Sequence, residues 1–136
     1  MIRSIIHDPL FLVQKSEPAT AADMPIVMDL KDTLRANLEG CVGMAANMIG
    51  FRKRIIIFCN GPLQMVMLNP VITHKSGPYE AEEGCLSLAG SRKTKRYQQI
   101  TISYQDEGFN RRTGAFRGFT AQIIQHEIDH CDGVLI

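Results

Sequence analysis

The stretch Gln125-His126-Glu127-Ile128-Asp129-His130 carries more information about fold and chemistry than any other part of the chain. If it is helical, His126 and His130 lie one turn apart on the same face, where two imidazoles can bind one divalent metal. Glu127 then lies at the rim of that face, where it can transfer a proton to or from a water molecule. This H-E-x-x-H spacing predicts metal-assisted hydrolysis. A solvated helix can carry the same residues by chance, so the interpretation depends on a third ligand.

We expect the third ligand upstream, because only Cys131 to Ile136 follow His130. The longer pattern H-E-x-x-H-x-x-G-x-x-H matches at Gly133 but fails at Ile136, where it requires histidine. The best candidate is Cys85, a thiolate donor in a glycine-containing, turn-like segment. One cysteine and two histidines leave one tetrahedral position open for water, as a catalytic metal requires.

Three motifs resemble those of the peptide deformylase family and occur in the family's order. Glu83-Gly84-Cys85-Leu86-Ser87 is similar to E-G-C-L-S, and residues 126–130 are similar to H-E-x-D-H. The third signature, G-x-G-x-A-A-x-Q-x-G, is present in altered form at residues 41–50. Residues 6–10, Ile-His-Asp-Pro-Leu, also resemble the family's opening region, so the similarity spans nearly the whole chain.

The resemblance implies removal of the formyl group from N-formylmethionyl peptides at one divalent metal ion. That ion would be Fe²⁺ in the cell, with Zn²⁺ or Ni²⁺ as alternatives, and the donor types alone suit several metals. Glu127 would transfer protons, and the backbone N–H of Leu86 would receive the developing oxyanion. The predicted metal ligands are Cys85, His126 and His130, and the predicted substrate-binding residues are Val42, Gly43, Met48, Gly84, Phe119 and Ile123. Phe119 and Ile123 share the helix face of both histidines and could form the wall of a pocket for an unbranched side chain, or simply belong to the core.

The main departure from the family pattern is Met48, which stands where the family has glutamine. A thioether has no hydrogen-bond donor for an oxyanion, and loss of one such donor typically costs about 10²- to 10³-fold in kcat. Asn47 carries an amide, but in extended chain it points to the opposite face. Cys41 also replaces the first glycine of the motif.

These departures leave more than one function open. We expect a deformylase with reduced activity or a shifted substrate. The alternative is a catalytically impaired homologue that binds metal and N-acylated peptides in a non-enzymatic role. A peptidase of the H-E-x-x-H type is disfavoured by the upstream cysteine.

Composition limits the partners and the compartment. The chain has 136 residues, 45% of them hydrophobic and 21% charged, with a net charge of +1 and a mean hydropathy near zero. We therefore expect one domain over residues 1–136, with no direct nucleic-acid partner and no membrane association. Four cysteines without C-x-x-C spacing, and an N-terminus unlike a signal peptide, favour the cytoplasm. The expected partner is the N-formylated nascent peptide, with transient ribosome contact through a short basic run at Lys93, Lys95 and Arg96.

Short strands with one early and one late helix predict an α+β fold. The family resemblance implies small mixed or antiparallel β-sheets packed around a C-terminal metal-binding helix. Apolar residues at helical spacing predict a helix over residues 20–39, and Asn60-Gly61-Pro62 predicts a hairpin turn. The basic run at 93–96 is predicted to be a solvated loop, and a turn is expected near Gly114. The last helix should begin near Phe119 or Thr120, with Thr120 as its cap. Asp129 is expected to pair with Arg92 or Arg96.

Overall fold

The computed structural model describes all residues from Met1 to Ile136 and has an α+β fold, as predicted. Five strands form one sheet in the order β1-β2-β3-β4-β5, and every pairing between neighbours is antiparallel. No helix has the length and apolar character needed to cross a membrane. The strands are β1 (Gly43–Ala45), β2 (Ile55–Asn60), β3 (Leu63–Cys85), β4 (Leu88–Gln105) and β5 (Arg111–Arg117). The α-helices are α1 (Pro9–Leu12), α2 (Met24–Ala36) and α3 (Gly118–Cys131), with 3₁₀ turns at Ala21–Asp23 and Ala46–Ile49.

Strand β2 is the centre of the core because it is buried on both faces. Ile55 and Ile57 pack with α2, whose Val27, Leu30 and Leu34 are fully buried. Ile56 and Phe58 point to the other face and pack with apolar residues of α3. This alternation follows from the two-residue period of a strand, and it fixes α3 against the middle of the sheet.

The predicted N-terminal helix and the predicted hairpin are both present. The helix over residues 20–39 is shorter than expected: it opens with a 3₁₀ turn, and α2 ends at Ala36. The hairpin turns between Asn60 and Leu63, with Gly61 at a positive φ of 61°. Glycine suits this left-handed conformation because it has no Cβ.

The prediction of a solvated loop at residues 93–96 was wrong. These residues lie in β4, which pairs with β3 along a long hairpin from Leu68↔Gln105 to Cys85↔Leu88. Lys93 and Lys95 are exposed, but Arg96 is only 4% exposed because two carboxylates neutralise its charge. A run of basic residues in the sequence does not show that one of them has buried partners.

Two predictions near the C-terminus were also wrong. Gly114 lies inside β5, where a Cβ would clash with the Phe116 ring, and the turn lies instead at residues 106–110. There the Asp106 carboxylate accepts hydrogen bonds from the backbone N–H groups of Gly108 and Asn110, which closes the turn. Helix α3 begins at Gly118, and Thr120 is inside it rather than at its cap.

Candidate metal centre

Helix α3 and the end of β3 bring together the three predicted ligands. One donor atom from each of Cys85, His126 and His130 lies within 4.8 Å of the others. The Cys85 Sγ is 3.2 Å from His130 Nε2, and the two imidazole centroids are 5.1 Å apart. His130 is fully buried and His126 nearly so, whereas Cys85 is half-buried. A thiol and two imidazoles converging in this way have the donor set of a transition-metal site.

Glu83 orients the ring of His126. The buried Glu83 carboxylate accepts a hydrogen bond of 2.9 Å from His126 Nδ1, which leaves Nε2 as the nitrogen free for a ligand bond. Sequence reasoning assigned no role to Glu83. The signal was a carboxylate two residues before the predicted ligand Cys85.

Arg96 ties this carboxylate to the helix. Its guanidinium donates two hydrogen bonds to Glu83, at 2.7 and 2.9 Å, and one to Asp129 at 2.6 Å. The predicted pairing of Asp129 is therefore confirmed for Arg96, whereas Arg92 contacts the Ala89 carbonyl instead. The resulting network joins β3, β4 and α3 around His126.

The same contacts shift the proton affinities of the cluster. Burial opposes the charge on Glu83, but hydrogen bonds from His126 and Arg96 outweigh it and lower its pKa to about 2. Burial likewise opposes protonation of His126, yet its contacts with Cys85 and Glu83 raise its pKa to about 10. His130 behaves in the opposite way, because burial and the nearby His126 lower its pKa to about 3. Metal binding at these donors would require the neutral form of both imidazoles.

Glu127 is buried beside the three donors and is held by few contacts. It is 4% exposed, and its Oε1 has no hydrogen-bond partner in the protein. Burial raises its pKa to about 7, and the nearby His126 limits the rise. A carboxyl group with this pKa can both accept and release a proton near neutral pH.

Gly43 on β1 packs directly against Glu127. A Cβ at this position would lie 2.9 Å from Glu127 Oε2 and 2.8 Å from Ile123 Cγ2, both closer than real contacts allow. Gly43→Ala should therefore displace the carboxylate, lower kcat and cost about 1–3 kcal/mol of unfolding free energy. Gly40→Ala is the matched control, because nothing lies within 4 Å of its Cβ position. Equal unfolding midpoints and equal kcat for the two variants would contradict this prediction.

A cavity of about 230 Å³ opens next to Glu127. His130 is fully buried and does not line the cavity. Gln122 also lines the cavity and was not predicted, although it is spaced three and four residues from Phe119 and His126. The predicted site residues that line the cavity are Val42, Gly43, Met48, Gly84, Cys85, Leu86, Phe119, Ile123, His126 and Glu127.

Met48 gives the cavity wall a thioether and no donor. It is 1% exposed, and its Sδ accepts a hydrogen bond of 3.5 Å from the backbone N–H of Ala45. Asn47 cannot replace the missing amide, because its Nδ2 donates to the His130 carbonyl at 2.9 Å. It faces away from the cavity as expected, but it lies in the 3₁₀ turn Ala46–Ile49 and not in extended chain. The backbone N–H of Leu86, in the two-residue turn between β3 and β4, donates to no protein acceptor and remains free.

Cys41, at the other changed position of the motif, lies at the edge of the same cavity. Its Sγ donates to the Gly43 carbonyl at 2.9 Å. Burial raises the pKa of the thiol to about 12, so the group stays neutral. The side chain therefore adds volume to the cavity wall but no charge.

Comparison with known proteins identifies the family to which this chain belongs. The family described as Polypeptide deformylase matches residues 2–136. A peptide deformylase of Clostridium beijerinckii is 60% identical over 136 residues and is aligned along its whole length and that of this chain. A peptide deformylase structure from Legionella pneumophila has a TM-score of 0.90 at 31% identity, over 99% of this chain and 83% of that one. A class I type b peptide deformylase structure from Acinetobacter baumannii, with bound Met-Ala-Ser, has a TM-score of 0.90 at 26% identity, over 99% and 97% of the two chains.

Proposed function

Since this chain belongs to the peptide deformylase family, a family of metallohydrolases that remove the formyl group from nascent peptides, we propose that it deformylates N-formylmethionyl peptides more slowly than a glutamine-bearing relative. The observation that carries this proposal is the convergence of Cys85, His126 and His130 beside the buried Glu127. The slower rate follows from Met48.

The family uses a single catalytic metal ion, and the donor set here fits one. Cys85, His126 and His130 would hold the ion, because their donor atoms lie within 4.8 Å of one another and Glu83 leaves His126 Nε2 free. A bound divalent ion would supply Lewis-acid activation of water and of the formyl group. We propose Fe²⁺ as the metal in the cell, from the family resemblance and the mixed thiolate and imidazole donors.

Glu127 moves the protons in the proposed reaction. Its carboxylate takes a proton from the water that attacks the formyl carbon, and it then passes that proton to the amine nitrogen as the carbon–nitrogen bond breaks. The products are formate and a peptide with a free N-terminal amine. Burial of Glu127, with one oxygen unpaired, supports this role because no protein donor competes for that oxygen.

The oxyanion that forms on the formyl oxygen has one protein donor in this proposal. The free N–H of Leu86 supplies it, whereas the buried thioether of Met48 supplies none. Val42, Gly43, Gly84, Phe119 and Ile123 would contact the peptide, since all five line the cavity beside Glu127. The Met-Ala-Ser tripeptide in the related A. baumannii structure supports a peptide with methionine as its first residue.

Met48 also favours one alternative, a homologue that binds metal and N-acylated peptides without turnover. The two functions are separated by offering formyl-Met-Ala-Ser to protein reconstituted anaerobically with Fe²⁺ or Ni²⁺. Release of formate in proportion to free amine supports the enzyme. No release from protein with one bound metal, together with measurable binding of the peptide, supports the alternative.

The cytoplasmic location and the ribosome contact remain proposals. Lys93 and Lys95 are exposed on β4 and could contact an acidic surface, but Arg96 is buried against Glu83 and Asp129 and cannot. Any ribosome contact through this strand would therefore depend on the two lysines alone.

A further inference from the structure

One side chain on the apolar wall of the cavity is polar. Helix α3 presents Phe119, Gln122, Ile123 and His126 to the cavity, at the spacing of a single helix face. Phe119 and Ile123 are apolar, and His126 belongs to the metal centre. Gln122 thus places an amide on the helix face that carries these three residues, in a half-buried position one turn before His126.

Tyr79 holds one end of this amide. Its hydroxyl donates a hydrogen bond of 3.1 Å to Gln122 Oε1 from the neighbouring strand β3. Burial, followed by the charge of Glu83, raises the pKa of Tyr79, so the hydroxyl keeps its proton and acts as the donor. The Nε2 of Gln122 makes no hydrogen bond within the protein, whose one side-chain bond to Gln122 is at Oε1. The amide is therefore held at its oxygen, with its two N–H donors unpaired.

The distance of Gln122 from the metal centre matches the length of the first side chain of a peptide substrate. Residues four apart on a helix have Cβ atoms about 6 Å apart, so Gln122 lies about one side-chain length from His126. If the formyl group of the first residue lies at the metal centre, a side chain as long as that of methionine spans this distance along the α3 wall. Its tip would then meet the amide of Gln122.

The chemistry of that tip decides how well it binds. An aliphatic tip leaves the amide donors without a partner, and a site with unpaired polar groups rejects such a ligand. A thioether is only a weak acceptor. Oxidation of methionine to the sulfoxide adds a polar oxygen at the same position, and that oxygen can accept a hydrogen bond from Nε2.

We propose that Gln122, positioned by Tyr79, determines specificity for the first side chain of the formylated peptide and favours a tip that accepts a hydrogen bond, methionine sulfoxide above methionine and norleucine. The proposal rests on the proposed function and deepens it. The substrate class is formyl peptides with an oxidised first residue.

The test compares formyl-peptides X-Ala-Ser in which X is norleucine, methionine or methionine sulfoxide. In the wild type, kcat/KM should rise in that order. The ratio of sulfoxide to norleucine should fall about three- to tenfold in Gln122→Leu, which removes the amide and retains similar volume. Tyr79→Phe releases the amide and should lower the ratio by a smaller factor. Gln98→Leu, the same change on the exposed part of β4, should leave the ratio unaltered.

Binding measurements keep this test separate from that of the proposed function. Calorimetry with the three deformylated peptides on the metal-loaded protein reports the same preference without turnover. If no variant releases formate but the wild type binds the sulfoxide peptide more tightly than Gln122→Leu does, the proposed function fails and the assignment of Gln122 stands. A ratio that agrees within twofold between wild type and Gln122→Leu, in both assays, overturns the assignment.

Discussion

Glu127→Ala is expected to reduce kcat for formyl-Met-Ala-Ser by about 10²- to 10⁴-fold, because it removes the group that transfers the proton. Metal content should not change, since Glu127 is adjacent to the ligands in sequence but is not part of the donor cluster. Both quantities are measured on one anaerobic preparation, by formate release and by elemental analysis.

Two further variants define the role of Glu127. Glu127→Gln preserves the volume of this buried side chain and should be as inactive as Glu127→Ala, which separates loss of the base from loss of packing. Glu107→Ala, at an exposed carboxylate bound to Lys31, should retain full activity. Loss of metal in Glu127→Gln would show that Glu127 is a ligand, and unchanged turnover would show that it is not the base.

Met48→Gln is expected to raise kcat by about 10²- to 10³-fold, the reverse of removing an oxyanion donor. The buried thioether already accepts a hydrogen bond from the Ala45 N–H. The Oε1 of a glutamine at this position can take over that bond, which leaves Nε2 as a donor toward the cavity. The gain should appear in kcat rather than KM, because the donor acts on charge that develops only in the transition state.

Met48→Leu is the control for Met48→Gln, because it retains the volume of the side chain and adds no donor. It should have wild-type activity within a few-fold. Equal rates for the leucine and glutamine variants would show that position 48 does not contact the oxyanion. No turnover in either variant, with metal bound, would favour the non-enzymatic alternative.

The centre of the site could be predicted because local geometry determines it. Helical spacing alone puts His126 and His130 on one face. The α+β class followed from short strands with one early and one late helix. Cys85 was the best candidate as a thiolate donor in a glycine-containing segment, and the family resemblance supported it. No spacing rule connects Cys85 to a helix that begins more than 30 residues later.

The parts that were missed depend on contacts between distant segments. Arg96 looked like a solvated residue because its neighbours in sequence are lysines, yet its partners Glu83 and Asp129 come from β3 and α3. Those contacts exist only because β3 and β4 pair over most of their length, and no turn signal in the sequence gives that length. Gln122 was missed because only the apolar residues of its helix face were predicted to line a pocket.

The ligand set can be measured directly by X-ray absorption on anaerobically purified protein. The account predicts one transition-metal ion per chain with one sulfur and two imidazole nitrogens among its ligands, and loss of the sulfur signal in Cys85→Ser. Cys59→Ser, at a half-buried thiol outside the donor cluster, should keep both the ion and the sulfur signal. Protein without stoichiometric metal, or a Cys85→Ser variant with the sulfur signal intact, would contradict the account.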